Sequence, residues 1–245
     1  MKNKLILVTG GSSGVGKAIV NYLSRENKVV TLARRYERLK SLYSCNKNVF
    51  YYQADLYDLT NLNEVLQKID QEHGEIAYIV NCAGAMQAGK LEQLSPEELC
   101  SSITLNAFAA IEIVKHYLTG MQRNNFGRVI NLTSGAPLNC FPGYAAYSAS
   151  KAVLNSLTVT LAKEMKEFDI KINLMSPGPV KSEMAPDAPM EPEVCLPTLN
   201  YLLKDCTETG GFFWLGYQIP LFPDLGDIDW LGGKGSDKLK RIFHD

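Results

Sequence analysis

Tyr147 and Lys151 lie four residues apart in GYAAYSASKAVLNSL, a stretch with helical character, so both side chains project from one helix face. A phenol with its ordinary pKa near 10 is a poor proton donor or acceptor at neutral pH; a neighbouring ammonium favours the phenolate and makes it a better one. This pair is suited to moving a proton to or from a bound oxygen. A second group of residues is suited to holding phosphate. LILVTGGSSGVGKAIVNYL passes from the apolar run Leu5–Val8 through Gly10, Gly11, Ser12, Ser13, Gly14, Val15 and Gly16 into an apolar-periodic stretch. At such a turn, missing Cβ atoms allow positive φ and close approach of a ligand to the backbone. Free N–H groups and the positive end of the helix dipole then stabilise a pyrophosphate, and Ser12 and Ser13 add hydroxyl donors.

These residues need elements to position them, and the apolar pattern supplies an order. Short apolar strands are expected at Leu5–Val8, Val29–Leu32, Val49–Gln53, Ile76–Asn81, Arg128–Leu132 and Lys171–Met175. Helical patterns lie between them at Gly16–Arg25, Glu37–Leu42, Leu62–His73, Glu97–Gln122 and Tyr144–Phe168. Near-continuous apolar strands alternating with helices predict an α/β fold with a parallel sheet covered on both faces. Beyond Ser176 the alternation fails, and PGPVKSEMAPDAPMEPEVCLP is expected to be a long functional loop.

Composition narrows the function classes. The 245 residues carry a net charge of −1, which argues against a general nucleic-acid or anionic-membrane binder. No apolar run approaches the roughly 18 residues that span a bilayer, and the apolar N-terminal run is too short for a signal-peptide core. Six cysteines form no C-x-x-C pair and are expected to be buried, inert thiols. His73, His116 and His244 show no ligand spacing and are expected on solvated surfaces. A cytoplasmic protein without a metal is the resulting expectation. LGGKGSDK is not a phosphate loop, because Ile228 stands where GxxxxGK needs glycine and Gly235 where it needs Ser or Thr.

Taken together and in order, Thr9-Gly10-x3-Gly14-x-Gly16, Asn81-Cys82-Ala83-Gly84 and Tyr147-x3-Lys151 closely resemble the short-chain dehydrogenase/reductase family in its compact single-domain branch. The likeness covers about residues 4–184. It implies a Rossmann-type doubly wound parallel sheet in a three-layer αβα arrangement. It also implies a nicotinamide dinucleotide along the carboxyl ends of the strands. Ser134, 13 residues before Tyr147, matches the family serine that bonds the substrate oxygen; Asn106 matches the helix asparagine of a catalytic tetrad with Tyr147, Lys151 and Ser134. In the family the tyrosine exchanges the proton, and the lysine bonds the nicotinamide ribose and joins a water relay to the asparagine.

The resemblance places the cofactor along the glycine turn, with Asp55 and Leu56 near the adenine and Asn81, Ala83 and Gly84 beside the adenosine ribose. Pro177, Gly178 and Val180 match the loop at the nicotinamide amide, and Ser182 stands where relatives often have threonine. NAD-specific relatives carry an acidic residue where this chain has Ala33, and here Arg34 and Arg35 follow. A carboxylate repels a 2′-phosphate, whereas guanidinium groups bond it, so NADP is the expected cofactor, with Arg34 the main contact.

The expectation is therefore one dinucleotide-binding and catalytic domain over residues 1–245 that interconverts a ketone and a secondary alcohol. Its substrate loop is placed at about 179–200 and an atypical C-terminal segment at about 207–245, in which Gly210–Trp214 leads into the last strand. That segment is expected to cover the pocket or a subunit interface. Phe141, Tyr144, Met184, Met190 and Trp214 are candidates for an apolar substrate pocket. The long helices resemble those that pair subunits into homodimers or homotetramers in the family. The competing function is a non-catalytic NADP-binding sensor or scaffold on the same fold, which usually lacks the tyrosine or lysine.

Overall fold

The computed structural model describes residues 1–228, 230, 231 and 236–239. The chain runs β1 (Leu5–Thr9), α1 (Gly14–Leu23), β2 (Lys28–Ala33), α2 (Tyr36–Tyr43), β3 (Val49–Gln53), α3 (Leu59–His73) and β4 (Tyr78–Asn81). It continues through α4 (Pro96–Ile103), a π segment (Thr104–Phe108), α5 (Ala109–Arg123), β5 (Gly127–Leu132), the short α6 (Ala136–Asn139), α7 (Ala145–Glu164) and β6 (Ile170–Ser176). Then follow α8 (Leu196–Lys204), β7 (Phe212–Trp214) and β8 (Tyr217–Ile219).

The eight strands form one sheet in the order β3-β2-β1-β4-β5-β6-β7-β8. All pairings are parallel except β7 with β8. Successive side chains on a strand point to opposite faces, and the burial follows that rule. Ile6 and Val8 pack with Ile19, Val20, Leu39, Leu199 and Leu203, so α1, α2 and α8 cover one face. Leu7 packs with Leu62, Leu66, Ile69, Ile113 and Tyr117, so α3 and α5 cover the other, joined there by Ala162 of α7. This is the Rossmann-type αβα arrangement. The strand order reverses between β1 and β4, which opens a crevice at their carboxyl ends.

Several boundaries differ from the sequence expectations. The stretch expected as one helix over Glu97–Gln122 is divided into α4, the π segment and α5. Its start is sharp because Ser95 and Glu98 form a reciprocal capping box with Pro96 in the first turn. The loop expected to extend to about 200 ends earlier: Pro192–Cys195 is a 3-10 turn, and α8 buries Leu199, Leu202 and Leu203 against the sheet. Gly210–Trp214 does lead into a strand, β7, but β8 then turns back antiparallel at the sheet edge.

The polar residues also need correction. His73 and His116 are not freely solvated. Their Nε2 atoms lie 2.7 Å from the Tyr52 hydroxyl and the Asp70 carboxylate respectively. Cys195 and Cys206 are buried as expected, but Cys45, Cys100 and Cys140 are exposed. His244 and most of the glycine-rich stretch around Gly233 lie outside the described residues.

Candidate active site

The crevice at the sheet's switch point is a cleft of about 480 Å³. Its floor is held together by Thr9 at the end of β1, whose hydroxyl accepts the N–H groups of Cys82 and Ala83, each at 3.0 Å. Gly10 follows with φ +77, and a Cβ there would stand 2.9 Å from the Ala83 Cα, so only glycine allows the two strand ends to approach this closely. Gly16 packs the start of α1 against the turn, where a Cβ would lie 2.2 Å from the Gly10 carbonyl oxygen. Ser13 precedes α1 without bonding its first amides through its side chain, and the first turn holds no acidic residue. The helix N-terminus is thus left open to an anion.

Gly10, Ser12, Ser13, Gly14, Val15 and Gly16 all border the cleft. So do Arg34 and Arg35 from the end of β2, Asp55 and Leu56 after β3, and Ala83 and Gly84 after β4. From the other wall come Ser134, Tyr147, Lys151, Pro177, Gly178, Val180 and Ser182. Two expected residues do not line it. Asn81 is buried at the end of β4 and turns its amide inward, donating to the Ala110 carbonyl at 3.1 Å and to Asn131 Oδ1 at 2.8 Å. Asn106 sits behind the wall, and a Cβ on Gly84 would meet its Oδ1 at 2.7 Å.

Asn106 lies in the π segment, a departure from α-helix geometry that often marks functional positions. Its Oδ1 accepts the Ala85 N–H, and its Nδ2 donates to the Ala85 carbonyl and to the Ser150 hydroxyl, all at 2.9 Å. The side chain thereby ties the loop after β4 to α7.

Ser134 follows β5, and its hydroxyl accepts the Ala136 N–H at 3.1 Å. Tyr147 lies in the first turn of α7 and Lys151 one turn further on, with Nζ 6.0 Å from the phenol ring centre. Lys151 is buried and donates to the Leu132 carbonyl at 2.7 Å. Burial pushes its ammonium down to about 8. Burial also raises the Tyr147 phenol above its ordinary value, with the Ser134 hydrogen bond opposing the rise. Desolvation is thus the largest influence on the phenol, and it favours the protonated form. Desolvation pushes the Cys82 thiol, which also borders the cleft, up to about 12 and so keeps it protonated.

Of the five apolar residues expected around the substrate, Met184 alone borders the cleft. Phe141 is exposed, Tyr144 caps α7, and Met190 pairs with Val180 in an isolated bridge. Trp214 is turned outward beside Tyr217. The residue after it, Leu215, packs against the cleft-lining Gly178, where an added Cβ would stand 3.1 Å from its side chain. Sequence reasoning missed Glu183, which borders the cleft and pairs with Arg35 and Arg38. An acidic residue in a loop without periodicity carries no local signal of that contact.

The donor set fits a dinucleotide: a glycine turn closed to side chains, an uncapped helix start and two cleft-lining arginines. Among the described residues no cluster of three His, Cys, Asp or Glu side chains could hold a metal ion, and no helix is long and apolar enough to cross a membrane.

The family model described as short chain dehydrogenase matches residues 4–192. The chain is 29% identical over 203 residues to a 3alpha-hydroxysteroid dehydrogenase of Mediterraneibacter gnavus, covering 78% of this chain and 81% of that protein. It is 29% identical over 192 residues to a benzil reductase, (S)-benzoin forming, of Bacillus cereus, covering 74% and 77%. Among solved structures, ElxO with NADP bound matches with a TM-score of 0.78 at 26% identity, over 88% of this chain and 98% of that one.

Proposed function

The chain belongs to the short-chain dehydrogenase family, and on that premise we propose that it is an NADP(H)-dependent oxidoreductase that interconverts a ketone and a secondary alcohol, working chiefly as a carbonyl reductase. One observation carries the reading: Ser134, Tyr147 and Lys151 border the same cleft as the Gly10–Gly16 turn. A proton donor and a dinucleotide cradle are thus within one enclosure. The similar proteins named for hydroxysteroid and benzil chemistry support a ketone or alcohol as substrate. The bound NADP of ElxO supports the cofactor class.

Bound nicotinamide supplies the hydride to the carbonyl carbon, or accepts it in the reverse direction. The protein's part is binding and proton transfer. The turn from Gly10 to Gly16 holds the pyrophosphate, Arg34 and Arg35 the 2′-phosphate, and Asp55 and Leu56 the adenine. Ala83 and Gly84 flank the ribose; Pro177, Gly178, Val180 and Ser182 hold the carboxamide end. Ser134 donates a hydrogen bond to the substrate oxygen. Tyr147, kept protonated by burial, releases its phenolic proton to that oxygen as negative charge develops. Lys151 holds the nicotinamide ribose from one turn further along α7 and stabilises the phenolate left behind. Asn106 acts as a positioning residue through Ala85 and Ser150.

A panel of ketones, 3-oxoacyl compounds and secondary alcohols, followed by nicotinamide absorbance with NADPH and NADP⁺, tests the reading. Turnover of a ketone supports it; cofactor binding with no turnover across the panel favours the sensor alternative. The proposal includes self-association of α5 and α7 into a homodimer or homotetramer. The outward face of α7 presents Ala149, Ala152, Ser156 and Thr160, small enough for close helix approach. Light scattering should give a mass well above the 27.2 kDa of one chain.

A further inference from the structure

The loop after β6 crosses the cofactor cleft and is tied to its far side. Ser182 lies over the glycine turn, where a Cβ on Gly14 would stand 3.1 Å from the Ser182 Cβ. The next residue, Glu183, reaches the end of β2 and the start of α2. One carboxylate oxygen accepts from Arg35 at 2.8 Å, and the other accepts from Arg38. The Arg35 guanidinium also donates to the hydroxyls of Ser12 at 3.3 Å and Ser13 at 3.1 Å. One arginine thus joins the phosphate turn to the loop. Its bond, and then that of Arg38, holds the Glu183 carboxyl below the usual carboxylate range. Arg34 borders the same cleft and makes no side-chain hydrogen bond or ion pair among the described residues.

We infer that Glu183 is a cofactor-selectivity residue: its carboxylate competes with the 2′-phosphate of NADPH for Arg35 and Arg38, and so moderates the preference for NADPH over NADH. The inference rests on the NADP reading of Arg34 and Arg35 above. Ala33 leaves the end of β2 without a carboxylate, and Glu183 brings one to the neighbouring arginines from the opposite wall of the cleft. A phosphate dianion bonds guanidinium groups more strongly than a carboxylate in half-exposed surface pairs. It therefore displaces Glu183, but against a standing competitor. NADH lacks the 2′-phosphate and does not contest those contacts. Removing the carboxylate's charge then benefits NADPH selectively. Relief of repulsion at the pyrophosphate acts on both cofactors and cancels in their ratio.

The test is calorimetric titration of the full chain with NADPH, NADH, 2′,5′-ADP and 5′-AMP, for the wild type, Glu183→Gln and Glu183→Asp. In Glu183→Gln the NADPH:NADH affinity ratio should rise about three- to tenfold, the range expected when two weak, half-exposed competing ion pairs are lost together. The 2′,5′-ADP:5′-AMP ratio should rise with it, although neither fragment carries nicotinamide. Glu183→Asp keeps the charge and should stay nearer the wild type. A wild type that prefers NADPH, with the ratio unchanged or lowered in Glu183→Gln, overturns this inference and leaves the NADP reading standing. Equal behaviour of the Gln and Asp variants also overturns it, because charge would not be the cause. A wild type that binds NADPH no more tightly than NADH overturns the NADP reading itself, and the inference with it.

Discussion

The Lys151 ammonium donates to the main-chain carbonyl of Leu132 at 2.7 Å, so α7 is pinned to the carboxyl end of β5 from inside the protein. Burial of that ammonium gives stability a particular pH dependence. Below about pH 8 the group is charged in both folded and unfolded chains, and the full desolvation cost is present. Between about pH 8 and the ordinary value of 10.5, the folded chain has released the proton while the unfolded chain retains it. Stability from this group therefore rises with pH across that window, by about 3 kcal/mol at most. Chemical denaturation of wild type and Lys151→Met from pH 7 to 10 should show the rise in the wild type and its absence in the variant. Parallel curves would refute the assignment.

Tyr147→Phe removes the phenolic proton and leaves the ring in place. Turnover of any ketone found active should fall at least about 10²–10⁴-fold, the contribution of a positioned general acid. NADPH affinity should stay within a few-fold. Steady-state kinetics and a binding titration check both; retained turnover would move the proton donor elsewhere.

Arg34→Ala should weaken NADPH by about 10–150-fold, which corresponds to ~1.5–3 kcal/mol for one charge-assisted phosphate contact. NADH should change little. Added salt should weaken NADPH more than NADH in the wild type, since screening acts on the additional charge. Paired titrations at low and high salt decide this, and an unchanged NADPH affinity in the variant would leave Arg34 pointing to solvent.

Gly16→Ala inserts a methyl group at a position 2.2 Å from the Gly10 carbonyl oxygen, and backbone must move to admit it. Overpacking of this kind costs about 1–3 kcal/mol. Thermal unfolding should show the loss. NADPH should bind about tenfold more weakly, ~1.4 kcal/mol, because the displaced turn borders the cleft proposed to hold it. A variant with wild-type stability and affinity would mean that the turn is soft.

Much of this architecture was legible from local pattern. Continuous apolar runs such as Leu5–Val8 can be satisfied only by strands covered on both faces, and their alternation with helical periods implied the parallel sheet. The Gly10–Gly16 spacing and the Tyr147–Lys151 interval carried the site, because each depends on backbone geometry within a few residues. Asn81, Asn106 and Glu183 were another matter. Whether an asparagine at a strand end faces the cleft or the core depends on which acceptors surround it, and Asn81 found the Ala110 carbonyl and Asn131. The π segment at Asn106 has no periodic signature in a helix that otherwise continues through it.

The sequence by itself determined the fold class, the glycine turn that opens α1 and the helix face that carries Tyr147 and Lys151. Each follows from steric and periodic rules that act over one or two turns of chain. Only the tertiary structure decided that Glu183, 148 residues from Arg35, reaches across the cleft to it. It alone set the Tyr147 phenol above its ordinary pKa and the Lys151 ammonium below. Ion pairing and desolvation depend on which distant segments the packed chain brings around a group, and no local pattern encodes that.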